Sequence, residues 1–188
     1  MTDNPPNIVM SERLKRRLLL ALCSSLLAWP IQAVVEFLGD YIDFDTRVLS
    51  YVFIGGAFSV ALTTFLPSSS FKGRCIFAVI LCTILTYSIA VELAMRTYGF
   101  SNLSHELSLV VSGVVGAFFV NGYMCLLSGI KPKLRFWVFV LLAGFFGGLV
   151  FSFMFSLADN YFAMGYIAWQ VSVIFALHLG LDQLHLTR

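Results

Sequence analysis

The chain has 188 residues, 59% of them apolar and only 12% charged, with a net charge of +2. A soluble domain carries about a quarter charged residues, so the composition excludes an ordinary water-soluble enzyme or binding module. A soluble all-helical bundle is excluded by pattern as well. Residues 138–155 (VFVLLAGFFGGLVFSFMF) and 110–120 have no polar face, and a surface helix needs one.

Charge-free windows recur along the chain at 18–35, 48–71, 75–91, 107–130, 136–158 and 160–181, each of 17 to 24 residues. About 20 residues of helix cross a hydrocarbon core of about 30 Å, so each window fits one crossing and none fits two. The predicted fold class is all-α: a polytopic integral membrane protein of six transmembrane helices arranged as three hairpins.

In chain order, residues 1–13, with Pro5 and Pro6, form a cytoplasmic arm. The transmembrane domain spans 14–182, with helices at about 14–38, 47–66, 74–96, 106–129, 134–157 and 162–182, and 183–188 form a short tail. Inner turns are marked by Pro67-Ser-Ser-Ser70 and Gly129-Ile-Lys-Pro132, and the outer connections are short. The first segment resembles a secretory signal, with RLKRR before LLLALCSSLLAW. Ile31 stands where such a signal needs a small residue, so 14–38 is read as a retained helix bent at Pro30. Glu36 and Glu92 close the first and third helices, and Gly55 and Gly113 open the second and fourth, a spacing echo that the third hairpin does not follow.

Orientation follows from charge. With both termini inside, the inner segments carry Arg13, Lys15, Arg16, Arg17, Lys72, Arg74, Lys131, Lys133, Arg135 and Arg188, and the outer ones only Arg47 and Arg96. Seven of the ten acids sort to the outer ends, as do Tyr41, Tyr51, Tyr98, Tyr161 and Tyr166. Positive-inside bias and interfacial aromatics agree on N-in/C-in.

Small residues are the packing code of helices in lipid. Gly144, Gly148, Ser152 and Ser156 recur every fourth residue on helix five, Gly113, Ala117, Asn121 and Cys125 on helix four, and Gly55, Ser59 and Thr63 on helix two. These stripes predict close packing within a subunit and at least one interface between copies, hence a homo-oligomer.

Candidate chemistry is sparse. Glu36, Arg47, Glu92 and Arg96 form an expected outer interfacial charge cluster, with Glu92 and Arg96 four apart on one helix face. Thr83, Thr86, Asn121 and Gln170 are the polar interior residues and are expected to bond between helices. Cys23, Cys75, Cys82 and Cys125 share no metal-ligand spacing. His178, Asp182 and His185 lie on one face at the inner end of helix six, read as a solvated helix end rather than a metal site. No catalytic residue, metal or cofactor is expected.

Glu92-Leu-Ala-Met-Arg96 with His178-Leu-Gly-Leu-Asp182 resembles fragments of the CAAX-prenyl-protease-like family, but without its doubled Glu and intervening FxxxH, and at opposite membrane faces. Ser112-Gly113 with His178 is similar to the rhomboid Ser–His dyad, but Val110 breaks the GxSG motif. The two residues also lie roughly 9 Å and 24 Å below the outer ends of their helices. An intramembrane protease is therefore the remote alternative. Six helices with inner termini are similar to the vitamin-binding subunits of energy-coupling-factor transporters, whose AxxxA signature Ala21-Leu-Cys-Ser-Ser25 echoes loosely. That resemblance implies a small transport protein, channel or solute-binding subunit.

The leading expectation is a non-enzymatic oligomeric subunit of the bacterial inner membrane that anchors or signals to a cytoplasmic protein, as in transport, secretion or antiviral defence assemblies. Arg13, Lys15, Arg16, Arg17, Lys131, Lys133 and Arg135 are its expected partner or lipid contacts. Its partners are the lipid bilayer, further copies of the chain and a cytoplasmic protein, with no direct nucleic-acid contact.

Overall fold

The computed structural model describes residues 12–39, 46–66, 72–100, 105–129, 131–157 and 162–185. Among them the fold is all-helical: α1 (Glu12–Gly39), α2 (Thr46–Thr63), α3 (Lys72–Phe100), α4 (His105–Leu127), α5 (Leu134–Leu157) and α6 (Phe162–His185). Gly73–Arg96, Glu106–Leu127 and Leu134–Met154 are each long and apolar enough to cross a membrane, and Val48–Thr63 and Gly165–Leu179 are shorter apolar stretches. These are the helices of a membrane protein.

The helix ends have local causes. Glu12 opens α1 and holds Lys15 at 2.7 Å, a carboxylate at the positive end of the helix dipole. Pro30 lies inside α1, which continues through it to Gly39, although the Leu26 carbonyl thereby loses its i+4 donor. The predicted helix at 47–66 closes at Thr63 instead, and the amides of Thr64, Phe65 and Leu66 bond three residues back. Thr63 and Thr64 hydroxyls donate to the carbonyls of Val60 and Ala61, each at 2.7 Å. Pro67 follows in sequence and disfavours the helical conformation of the residue before it. α4 likewise stops at Leu127 rather than 129, because Gly129 takes φ +65° as a left-handed cap. α3 runs four residues beyond the predicted Arg96, through a stretch holding no proline.

Each helix packs against its sequence neighbours, and α1 closes onto α6. Every seam is antiparallel. Arg17 reaches both Thr64 and His178, Gly55 meets Ile84 while Tyr51 meets Tyr87, and Thr83 meets Tyr123. Gly113 meets Gly144 and Gly148, and Gly147 and Phe151 meet Trp169 and Gly165. The result is an up-and-down ring of six helices whose centre is filled rather than hollow. Trp169 of α6 is its hub, its ring centroid 5.9 Å from that of Phe58 of α2 at a tilt of 55°, and set against Gly116 of α4 and Gly147 of α5. Around it, Leu62, Val79, Val120, Met124, Val140, Val173, Ile174 and Leu177 are fully enclosed.

The outer surface is apolar. Every helix presents large exposed hydrophobics, among them Leu19, Val60, Phe77, Phe119, Phe146 and Phe175. α5 carries many and α6 only Phe175 among the described residues, so α6 is the most enclosed helix. A surface of this kind is costly in water and matches hydrocarbon.

Candidate functional site

The antiparallel ring collects the charges at its two ends. The start of α1, the ends of α2, α4 and α6 and the starts of α3 and α5 share one end, where Lys15, Arg16, Arg74, Lys131, Lys133 and Arg135 are all exposed. The connection 131–133 has no regular secondary structure and enters α5 through a turn in which the Phe136 amide donates to the Lys133 carbonyl at 3.0 Å. It holds two exposed lysines on a short segment.

Arg17 departs from the expected surface role. It is half-buried and turned into the bundle, with Nη1 2.8 Å from His178 Nδ1 and Nη2 donating to the Thr64 carbonyl at 3.4 Å. Its guanidinium sits 3.9 Å above the Phe65 ring. The reason is geometric: α1 places position 17 over the turn that ends α2, where an unpaired carbonyl and an aromatic face both favour a planar cation. Arg17 thus belongs to the ring closure, not to the exposed contact set. The Arg13 side chain lies outside the described ones.

At the opposite end, Glu92 accepts from the Tyr51 hydroxyl at 3.2 Å and lies 3.7 Å from Arg96, which is exposed. Tyr51, Tyr87, Tyr166 and Phe151 form a chain of ring contacts with centroids 5.2 to 5.8 Å apart, joining α2, α3, α6 and α5. The rings fill the space between these helices, so Glu92 stands on the rim of a packed aromatic cluster. The Glu36 and Arg47 side chains of the expected charge cluster lie outside the described ones.

The small-residue positions meet within the chain. A Cβ on Gly113 would stand 2.9 Å from the Gly144 carbonyl oxygen and from Gly148 Cα, and one on Gly144 would stand 2.7 Å from Val114 Cα. Ala117 is buried against Gly144, Gly55 is pressed on Ile84, and Ser59 and Ser152 are buried, with Ser59 donating to the Gly56 carbonyl at 2.6 Å. Backbones this close leave room for hydrogen alone.

The interior polar groups divide into satisfied and orphaned. Thr83 donates to the Val79 carbonyl, so the Tyr123 phenol 2.7 Å away is the donor to Thr83. The Ser24 hydroxyl lies 2.9 Å from the Ala21 carbonyl and 3.4 Å from Gln170 Oε1. Asn121 is wholly buried: its Nδ2 donates to the Ala117 carbonyl at 2.9 Å, while Oδ1 has no protein partner. Ser108 Oγ on α4 and Ser128 Oγ in the turn after it are the other buried orphans among the described residues. Ser112 donates to the Leu109 carbonyl, and His178 faces Arg17.

Three contacts escape a reading by motif. The Trp169 indole N–H donates to the Gly113 carbonyl at 2.9 Å, Gly116 and Gly165 are as tightly packed as the striped glycines, and Arg17 bonds His178. Trp169, Gly116 and Gly165 lie off the four-residue stripes. The third joins residues 161 apart, which no local pattern reveals. Compared with protein-family models, with curated proteins and with solved structures, the chain matches none.

Proposed function

We propose that the chain crosses the bacterial inner membrane six times with both ends in the cytoplasm, self-associates, and serves as a non-catalytic subunit that docks a cytoplasmic protein through its basic end. The observation that carries this reading is the cluster of six exposed cations, Lys15, Arg16, Arg74, Lys131, Lys133 and Arg135, gathered from four segments at one end of a ring with a filled centre. Anionic lipid attracts such residues at about 1 kcal/mol per charge. The exposure of Lys131 and Lys133, on the short segment before α5, supports contact with a protein surface as well. Attraction of this kind is screened over about 10 Å at ordinary salt.

The orientation is tested by thiol labelling in a Cys-free background. Cysteines at Asp43, Leu103 and Asn160 should react with an impermeant reagent in intact cells, and those at Ser69, Lys133 and Thr187 should not. The docking is tested with Lys131→Gln/Lys133→Gln. This variant should insert normally and lose a co-purifying soluble protein that the wild type releases at high salt. If the wild type at low salt brings down no soluble protein, the subunit reading fails.

A transport subunit is the second reading, and the orphaned Asn121 Oδ1, Ser108 Oγ and Ser128 Oγ speak for it. Buried acceptors without partners cost about 1–3 kcal/mol each and suit a segment that meets a polar solute. A small molecule co-purifying with the wild type and lost in Asn121→Leu would favour this reading over docking.

A further inference from the structure

The two most exposed large apolar residues among the described ones stand beside a dense run of cations. Leu126 is 82% exposed and Leu134 80%, against 68% for the next, Phe77. Leu126 lies one residue before the end of α4, and Leu134 opens α5. They share a level of the antiparallel seam, since Ala117 meets Gly144 farther in and Gly122 meets Trp137 between. In sequence Leu134 lies between Lys133 and Arg135, with Lys131 just before them, and all three cations are exposed. None of the three pairs with a carboxylate among the described residues.

The apolar strip continues inward from this pair. Phe118, Gly122 and Leu126 follow at four-residue intervals on one face of α4. Trp137 of α5 lies over that face, its ring centroid 4.9 Å from that of Phe118 and its edge 3.8 Å from where a Cβ on Gly122 would stand. Phe118 and, on α5, Leu141 are exposed. A surface with cations at its rim and an apolar strip leading away from them matches a molecule with an acidic head and a hydrocarbon tail. Glu106–Leu127 and Leu134–Met154 are both long and apolar enough to cross a membrane. The leucine pair therefore lies at the edge of the hydrocarbon, out of reach of a water-soluble protein.

We propose that the basic end of the α4–α5 seam is a seat for an anionic phospholipid. Lys133 and Arg135 hold its phosphate, and one acyl chain lies over Leu126, Leu134 and the Trp137–Phe118 ring pair. The planar guanidinium of Arg135 can bond two phosphate oxygens at once, while the ammonium groups of Lys131 and Lys133 act as point charges. A zwitterionic lipid offers the same chain and phosphate, but its own cation offsets the attraction. Preference for net negative charge is therefore the mark of this seat. Lys15 and Arg16, at the start of α1, are the natural control: they are exposed cations at the same end, and Lys15 is already held by Glu12 at 2.7 Å. Neither the orientation of the chain nor a protein partner is needed, since such a seat would serve in either leaflet.

Tryptophan quenching of the purified chain in phosphatidylcholine nanodiscs tests this. Phosphatidylglycerol or phosphatidylcholine, each brominated high on one acyl chain, is added at matched mole fractions. The chain has three tryptophans, Trp29, Trp137 and Trp169, and Trp137→Phe removes the one at the seat. In the wild type the brominated phosphatidylglycerol should associate with a constant roughly fivefold that of the brominated phosphatidylcholine, the weight of a single cation near an anionic head group. Salt, which screens such attraction over about 10 Å, should shrink that preference, a check that needs no variant. The preference should vanish in Lys133→Gln/Arg135→Gln, survive in Lys15→Gln/Arg16→Gln, and be absent from the emission that remains in Trp137→Phe. Unchanged quenching by the brominated phosphatidylcholine shows that each double variant is folded. Equal association of the two lipids in the wild type overturns the proposal and leaves these cations to the docking reading. So does a preference that salt leaves untouched, or one that outlasts Lys133→Gln/Arg135→Gln. Equal loss in Lys15→Gln/Arg16→Gln overturns it as well, since that is the general pull of a basic surface, and a preference kept in Trp137→Phe does so by putting the lipid against another tryptophan.

Discussion

The two sides of α6 are held by different physics. Against α5 and α4 it packs by subtraction: Gly147, Gly165 and Gly116 remove side chains so that Trp169 and Phe151 fit against backbone. Against α1 the contacts include polar side chains, Arg17 to His178 and Ser24 to Gln170, beside the fully buried Ala21. In lipid there is no hydrophobic drive to bring helices together, so dispersion between close backbones provides rigidity while a hydrogen bond between side chains contributes about 0.6 kcal/mol on average. The glycine side is expected to be the more rigid part of the bundle.

The sharpest way to test packing by subtraction is to add one methyl to the α4–α5 seam beside α6, where the backbones approach most closely among the described glycines. A Cβ at Gly148 would stand 2.8 Å from Val110 Cα and 3.0 Å from the Leu109 carbonyl oxygen, both backbone atoms, so only separation of α4 and α5 relieves it. Gly148→Ala should cost about 1–3 kcal/mol, read as a lowered unfolding midpoint in mild detergent. Gly56→Ala is the control, with nothing within 4 Å of its added carbon. That change should be neutral or stabilise by about 0.5–1 kcal/mol through lower backbone entropy. Equal tolerance of the two changes would mean that α4 and α5 do not touch there.

Trp169→Phe should rank next. It removes the hydrogen bond to the Gly113 carbonyl, about 0.5–1.5 kcal/mol net, and leaves a gap beside Gly116 where the indole edge would stand 2.8 Å from an added Cβ. Combined with Gly116→Ala, whose methyl refills part of that gap, the loss should shrink. Additive costs in the double variant would place the indole elsewhere.

Much of this architecture was legible in the sequence, and the boundary of legibility is physical. The apolar windows predict helices, and three of the six are long and apolar enough to cross a membrane. The interval of four in Gly113, Ala117, Gly144 and Gly148 anticipates a close seam because helix geometry alone puts those residues on one face. Trp169 and Arg17 were not legible in the same way. A tryptophan in an apolar run reads as bulk, and its role as hub depends on glycines from two other helices. Arg17 is one of four cations within five residues, and only the meeting of α1 with the turn after α2 separates it from its neighbours. Asn121 was expected to bond across helices. Its amide nitrogen bonds within its own helix and its carbonyl has no protein partner, because α4 presents it to the apolar side chains that fill the core.

Tyr51→Phe tests the acidic end, where little energy is expected. The hydroxyl donates to Glu92 at 3.2 Å on the rim, with the carboxylate partly exposed, so water can replace much of the bond. A loss below about 1 kcal/mol is expected, because the ring contact with Tyr87 remains. A larger loss would show that Glu92 is sealed from water.

The smallest effect should come from the α1 side itself. Ser24 lies 3.4 Å from Gln170 Oε1 and 2.9 Å from the Ala21 carbonyl of its own helix, and one hydroxyl proton cannot serve both fully. The nearer acceptor takes most of it. Ser24→Ala therefore gives up a fraction of an interhelical bond whose full value averages about 0.6 kcal/mol, and it leaves the α1–α6 spacing unchanged because alanine is smaller. The expected shift in unfolding midpoint is well below that of Gly148→Ala. If Ser24→Ala instead costs as much as Gly148→Ala, the polar seam is as rigid as the glycine seam. The asymmetry between the polar seam and the glycine seam would then be gone.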